Sequence, residues 1–382
     1  MSQRHYPGST FGIIGQAMTS ALLAQEAGRL GYRVASLVNQ ATNPVRQFAS
    51  WQTITENFTE EILTDFAQRV DFVYVEPGIL SNRDFNLLNQ TTDLTLSEDL
   101  IAITTDRLIE KVYLDSTKAL VAPFSMVTSL EDIKEAVEFI GYPCVLKSGQ
   151  RHLSEARDHV LLFDEKDLER AKEKVDQATC ILEAWIPVEK RVSLTVVRNE
   201  RGQILIYPPF ELVDKGLLIG SQVRYPARID EAVEAEVNRL GRMIAESLVL
   251  IGALTLEFLI TSSGVIYVNQ ASIGLSQAAI FTVGSMSVSH FETCMRAIAG
   301  LPLPSLRPRS QAAIAISIDR LNYQNLMVQY MARTDWGFAL VNCPQLDHNR
   351  LTGQVIITGD SLSSCDRQIE ITELYKPTST ED

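Results

Sequence analysis

An α/β fold of several units is the expectation for this chain, and three observations carry it. The 382 residues exceed what one hydrophobic core organises, so two or three domains are expected. Near the start, apolar runs alternate with helically spaced segments, the pattern of a parallel sheet with crossover helices. Further on, apolar runs follow one another across short polar turns, the pattern of hairpins. The plan is a Rossmann-like N-terminal domain over 1–114, a central α+β domain over 115–304, and a small β-rich C-terminal domain with a tail over 305–382.

Each element has a local reason. Phe11–Gly15 is an apolar run closed by Gly. Over residues 17–30, Leu22, Leu23, Ala27 and Leu30 fall on or near one helical face, and Gly31 ends the helix. Val34–Val38 and Phe72–Val75 read as buried strands. The loop after the first strand, GQAMTS, holds one Gly where a dinucleotide loop uses three, so this domain is expected to scaffold rather than bind a nicotinamide cofactor. From residue 115 a strand, a helix and a strand follow, with Ser129 as N-cap and Leu130, Ile133, Val137 and Ile140 on the apolar face. Lys147 closes the second strand; by itself it reads as a solvated edge lysine. Next come a strand from Cys180, a connector, and a hairpin turned at Asn199–Gly202. The charged helix from about Asp230 to Leu248 reads as amphipathic. After it lie a hairpin with a Ser-Ser-Gly turn and a helix around Ser289–Ala299. The Pro-rich segment Leu301–Pro308 links to the short strands AAIAISI, FALVN and GQVIIT.

Composition excludes several classes of function. The formal net charge of −13 argues against broad binding of nucleic acid or anionic membranes, yet leaves room for a local cationic cluster around a small anion. Five scattered cysteines, odd in number, fit a reduced cytoplasm better than a disulfide framework or a zinc site. No apolar run spans a bilayer, and the N-terminus lacks the apolar core of a signal peptide. His290 and His348 are isolated, and Ser154, Ser193 and Ser272 have no His–Asp context. The charged stretch from Arg151 to His159 reads as a solvated loop.

The hairpin ALTLEFLITSSGVIYVNQ carries the most chemistry. Two antiparallel strands that each bring a carboxylate to one end can seat Mg²⁺ on a polyphosphate. The first strand supplies Glu257, whereas the second offers Asn269 and Gln270 and no second carboxylate.

Taken in order, LGYRV, TTDRLIEK, VAPFSMVTSLEDIKEAVEFIGYPCVLK, CILEAWIPVEKRVSLTVVR, LTLEFLITSSGVIYVNQ and SHFETCMRAIAGLPLP resemble the N5-carboxyaminoimidazole ribonucleotide synthases of the ATP-grasp superfamily. The likeness runs over nearly the whole chain, and the order and spacing of the pieces make it specific. It implies a central ATP-grasp domain, ATP and Mg²⁺ as cofactors, bicarbonate and aminoimidazole ribonucleotide as small-molecule substrates, and a cytoplasmic homodimer. By this resemblance Arg107 and Lys147 stand at basic ATP contacts. Glu183 stands on the adenine side with Trp185 in the same connector, Glu257 at the first metal carboxylate with Asn269 beside it, and Glu76 and Arg350 at the substrate end.

Other positions depart from the family pattern. The loop closing over the phosphates, SGQRHLSEARDHVLL, has one Gly, and side chains there block close backbone approach. The acid expected at the ribose falls at Arg191, which cannot accept hydrogen bonds. The second metal carboxylate falls at Gln270. The substrate-end run reads ASIGLSQAA, and an Arg–Lys phosphate pair reads Arg350–Leu351. A fold kept and a reaction relaxed or changed is therefore expected. Three functions stay open: the family ligase, an ATP-grasp ligase with another acceptor, and a non-catalytic homologue that binds a nucleotide or a partner protein. Sensitivity of Mg-dependent ATP binding to Glu257→Ala and Lys147→Ala separates the first two from the third.

Overall fold

A computed structural model describes residues 5–94, 96–151, 159–215, 218–344 and 349–375. Strands β1 (Thr10–Ile14), β2 (Arg33–Val38), β3 (Trp51–Ile54), β4 (Phe72–Val75) and β5 (Asp93–Leu94) form an all-parallel sheet in the order β3-β2-β1-β4-β5. This is the doubly wound plan expected for the N-terminal region. Both faces are buried, as a parallel sheet requires. Phe11, Ile13, Phe72 and Tyr74 point into one core, and Ile14, Val73 and Val75 into another. The first helix, Met18–Arg29, is closed by Gly31 at φ 90°.

The central region contributes two sheets. Strands β6 (Phe124–Val127), β7 (Cys144–Ser148), β8 (His159–Leu162) and β9 (Cys180–Ala184) make an antiparallel sheet ordered β6-β9-β7-β8. The helices Leu130–Ile140 and Leu168–Val175 cover one face with a core of its own, which takes Cys144, Leu146, Cys180 and Leu182. Strand pleating turns Val145, Lys147, Ile181 and Glu183 to the opposite face. Ser129 caps the first of these helices in a reciprocal capping box with Asp132, as its position predicts.

The remaining strands are β10 (Lys190–Arg198), β11 (Ile204–Ile206), β12 (Phe210–Lys215), β13 (Leu218–Tyr225), β14 (Gly252–Ile260), β15 (Ile266–Ile273), β16 (Ala312–Ser317), β17 (Gly337–Pro344) and β18 (Asn349–Gly359). They form one antiparallel sheet in the order β15-β14-β10-β12-β13-β16-β18-β17, with β11 paired to β10. The three C-terminal strands thus extend the central sheet across the β13–β16 pairing, where Val223 faces Ala315. They keep a small core of their own around Ile314, Leu326 and Val355 on one face. With the other face, Ala313, Ala339 and Ile356 join the core that also holds Phe11 and Phe281. The charged helix, Glu231–Ser247, is amphipathic as expected, with Asp230 as cap and Val237, Leu240 and Ile244 buried. Among the described residues no helix is long and apolar enough to cross a membrane.

Candidate functional site

A cleft of about 640 Å³ lies between the uncovered face of the four-stranded sheet and the β15-β14-β10-β12 end of the larger sheet. Arg107, Lys147, Glu183, Trp185, Glu257, Asn269 and Gln270 all line it. So do Glu110, Lys111, Arg151, Arg191, Asp214 and Arg228. Seven Lys and Arg side chains face six carboxylates around the cleft, in a chain whose net charge is −13. The lining therefore runs against the global field and favours an anion.

The floor is a buried charge cluster. Glu183 on β9 faces Val145 in register, which sets it beside Lys147 on β7. Lys147 Nζ donates to Glu183 Oε2 at 3.1 Å. Lys111 Nζ lies 3.2 Å from the same oxygen and makes no hydrogen bond among the described residues. Burial alone would raise the Glu183 carboxyl, but the Lys147 and Lys111 ammonium groups overcome it and hold it below the usual carboxylate range. Burial pushes Lys147 down. Read from its strand alone, Lys147 was expected at a solvated edge; its side chain is in fact 15% exposed and paired.

Arg107, Glu110 and Lys111 reach the cleft from one face of the helix Arg107–Ser116, at spacings of three and four residues. Asp106 caps this helix by accepting from the Leu108 and Ile109 N–H groups. Arg107 Nη1 donates to the Ser148 carbonyl at 2.6 Å, tying the helix start to the end of β7. Glu110, fully buried, accepts from the Ala271 N–H and pairs with Arg151. Burial pushes its carboxyl up, with Arg151 opposing. Sequence reasoning missed Glu110 and Lys111; the helical spacing of Arg107, Glu110 and Lys111 is the signal that marks them. The expectation of a solvated loop at 151–159 does not hold at its ends, because Arg151 is paired with buried Glu110 and His159 lines the cleft. Residues 152–158 lie outside the described residues.

At the far side, β14 and β15 pair Glu257 with Gln270, as the hairpin reading requires. A bulge follows, because Phe258 pairs with Val268 and leaves Asn269 as the extra residue. The bulge lets both Asn269 and Gln270 line the cleft, where an unbroken strand would send neighbours to opposite faces. Asn269 Nδ2 donates to Glu257 Oε1 at 2.6 Å, and Gln270 Nε2 to Ser272 Oγ at 2.8 Å. Glu257 Oε2 accepts from Arg191 Nη2 at 3.3 Å, and Arg191 Nη1 lies 3.6 Å from Asp214 Oδ1.

These residues do not suit the Mg²⁺ that the resemblance implies. Among the described residues no group of three or more His, Cys, Asp and Glu side chains converges on one point. Mg²⁺ on a nucleotide takes six close oxygens, one or two of them from free protein carboxylates and the rest from phosphates and water. Here the hairpin brings one carboxylate, with both oxygens already accepting from nitrogen donors, one of them a guanidinium.

Two expected residues are not brought into this lining. Glu76, at the end of β4, is buried and accepts from the Gln16 and Ala17 N–H groups at 2.9 Å each and from Ser20 Oγ at 2.7 Å. Its carboxylate organises the loop and the helix N-terminus after β1. A Cβ at Gly274, just past β15, would lie 3.1 Å from Tyr74 Oη, so the ends of β4 and β15 meet there. Arg350 pairs with Cys343 in the β17–β18 ladder, and its side chain lies outside the described residues, as does His348. His290 is fully buried, its Nδ1 3.1 Å from Thr282 Oγ1, and burial pushes it down to about 3.

Comparison with known proteins agrees with this architecture. Residues 112–291 match the ATP-grasp domain. The N5-carboxyaminoimidazole ribonucleotide synthase of Staphylococcus aureus (strain MRSA252) is 28% identical over 356 residues, covering 92% of this chain and 94% of that protein. The Bacillus subtilis (strain 168) enzyme of the same name is 29% identical over 301 residues, 78% of either chain. Among solved structures, an ADP complex of an N5-carboxyaminoimidazole ribonucleotide synthetase superposes with a TM-score of 0.90 at 26% identity over 98% of both chains. The Staphylococcus aureus synthetase complexed with ADP gives 0.86 at 25% identity, over 97% of this chain and 98% of that one. The chain thus carries an ATP-grasp domain over residues 112–291 and is built throughout on the plan of the N5-carboxyaminoimidazole ribonucleotide synthases.

Proposed function

We propose that the cleft binds ATP and that the chain uses it to carboxylate the amine of 5-aminoimidazole ribonucleotide with bicarbonate. The observation that carries this reading is the buried Lys147–Glu183–Lys111 cluster on the floor of a cation-rich cleft in an acidic protein. In the reaction the γ-phosphoryl group passes from ATP to a bicarbonate oxygen, leaving ADP and carboxyphosphate. The amine nitrogen then bonds to the carboxyl carbon, phosphate leaves, and the nitrogen loses a proton.

Each part of the cleft has a task in this scheme. Trp185, Ile186 and Val188, in the connector after β9, supply apolar surface for a base. Lys147 and Arg107 face the phosphates, and Glu183 holds Lys147 in place. Preorganised cations act where charge moves among phosphate oxygens, because they need not reorient as it moves. The junction between the ends of β4 and β15 is the place for the second substrate, at the carboxyl ends of the parallel strands. Mg²⁺ is no part of this reading, since the donor set at Glu257 does not suit it. The homodimer implied by the resemblance belongs to the same proposal, with sedimentation as its check.

The test is ADP release by the purified protein with ATP and bicarbonate, with and without 5-aminoimidazole ribonucleotide, at several Mg²⁺ concentrations. Release that depends on both substrates, and falls about a hundredfold or more in kcat/KM in Lys147→Ala, is expected. Absence of any nucleotide binding by folded protein at millimolar concentration would sink the assignment.

A further inference from the structure

We propose that Arg191 supplies the positive charge at the Glu257 end of the cleft, so that nucleotide phosphate binds there without a divalent metal. The inference rests on the nucleotide reading above and goes beyond it. Three features converge on it: the register of the strands, the donors around Glu257, and the reach of the guanidinium.

Register forces the encounter. On β10, Leu194 and Val196 enter the core, so Arg191, Ser193 and Thr195 lie on the cleft face. On β14, Leu256 and Phe258 enter the same core, and Glu257 lies on the cleft face. Ser193 pairs with Glu257 and Arg191 with Leu259. Arg191 and Glu257 are therefore diagonal neighbours on adjacent strands, within reach of a long side chain. Thr195 and Thr255, on the same face, confirm the alignment with a hydroxyl contact of 2.9 Å.

The surroundings of Glu257 favour a nitrogen cation over a metal ion. One carboxylate oxygen accepts from the Asn269 amide and the other from Arg191. A divalent ion on Glu257 Oε2 would sit only a few ångströms from the guanidinium, where like charges repel strongly in a partly buried site. Arg191 also spans to Asp214 on β12, so the two carboxylates on either side of β10 share one fixed cation. A guanidinium offers five donors, and the two contacts use only some of them. The rest are available to a phosphate oxygen, for which Arg geometry is well suited.

Calorimetric titration of the full chain with ADP, at constant ionic strength in EDTA and in Mg²⁺, tests this. The expected result is equal affinity within about threefold in the two buffers, with metal-free binding weakened about tenfold or more in Arg191→Ala and largely kept in Arg191→Lys. The double variant Arg191→Ala with Gln270→Glu places two carboxylates on the hairpin. It should bind ADP only with metal, and take up Mn²⁺ in the presence of ADP as read by electron paramagnetic resonance. Mg²⁺ tightening ADP binding to the unaltered protein by more than about tenfold, with Arg191→Ala indifferent in EDTA, overturns the inference and leaves the nucleotide reading standing. No ADP binding in either buffer overturns both.

Discussion

At Glu183 one carboxylate oxygen meets two ammonium groups, 3.1 Å from Lys147 and 3.2 Å from Lys111, all but removed from water. Such a group is stable only as an ensemble of charges. Glu183→Gln leaves two buried cations facing each other, and the expected loss is about 3–5 kcal/mol in urea-induced unfolding. The pH dependence has a definite sign. The folded pKa of Glu183 is depressed, so its contribution is complete above the unfolded carboxylate value of about 4.3 and is lost as pH falls through the folded value. The stability gap between the unaltered protein and Glu183→Gln should therefore hold above about pH 5 and shrink as the pH falls from there through the depressed folded value. A gap that stays constant through that fall would show that the cluster is not an ion pair of this kind. Glu110 has the opposite sign: burial raises its pKa, so protonation favours the folded state and its contribution declines as pH rises through the folded value.

At the scale of elements, the cleft depends on strands that keep register. The bulge at Asn269 brings its amide to Glu257 and leaves Gln270 on the cleft as well, and the β10–β14 pairing sets Arg191 beside Glu257. The C-terminal hairpin shows how strict such packing is. Gly353, on β18, has φ 145°, and a Cβ there would lie 2.1 Å from the Ala339 carbonyl oxygen on β17. The obstruction is backbone, so no side-chain rotation relieves it. Gly353→Ala is expected to cost about 2–4 kcal/mol, read from equilibrium unfolding. A change within about 0.5 kcal/mol would contradict the close approach.

Across the whole molecule, one core is shared by all three regions. Phe11 from the parallel sheet, Phe281 from the central region and Ile356 from β18 belong to it. The β13–β16 pairing makes the C-terminal strands a continuation of the sheet that forms one wall of the cleft. Truncation after Pro308 would remove β16, β17 and β18, exposing both the β13 edge and the apolar core that Ala313, Ala339 and Ile356 cover, an aggregation-prone combination. The fragment 1–308 is expected to be insoluble or to lack a cooperative melt, as checked by gel filtration and circular dichroism. A soluble fragment with a native-like transition would show that the C-terminal region folds as a separate attachment.

The sequence by itself determined the elements and the ancestry of the fold. Apolar periodicity, the Ser129 cap, Gly31 and the turns at Asn199–Gly202 and Ser262–Gly264 are local signals, and each marks an observed boundary to within a residue or two. The residues of the Glu257 hairpin were legible for the same reason, since hairpin turns are short-range features, whereas Lys147 read locally as a solvated edge lysine and only the resemblance set it at the nucleotide. Only the tertiary structure decided which charges meet. Lys111 and Lys147 come from a helix and a strand 36 residues apart in number yet share Glu183. Arg191 reaches Glu257 across 66 positions of chain. Glu76 turns to the loop after β1 instead of lining the cleft, and the last strands join a sheet begun more than a hundred residues earlier. Strand pairing and register are non-local choices that buried apolar faces make together, and an ion pair inherits its partner from that choice rather than from spacing along the chain.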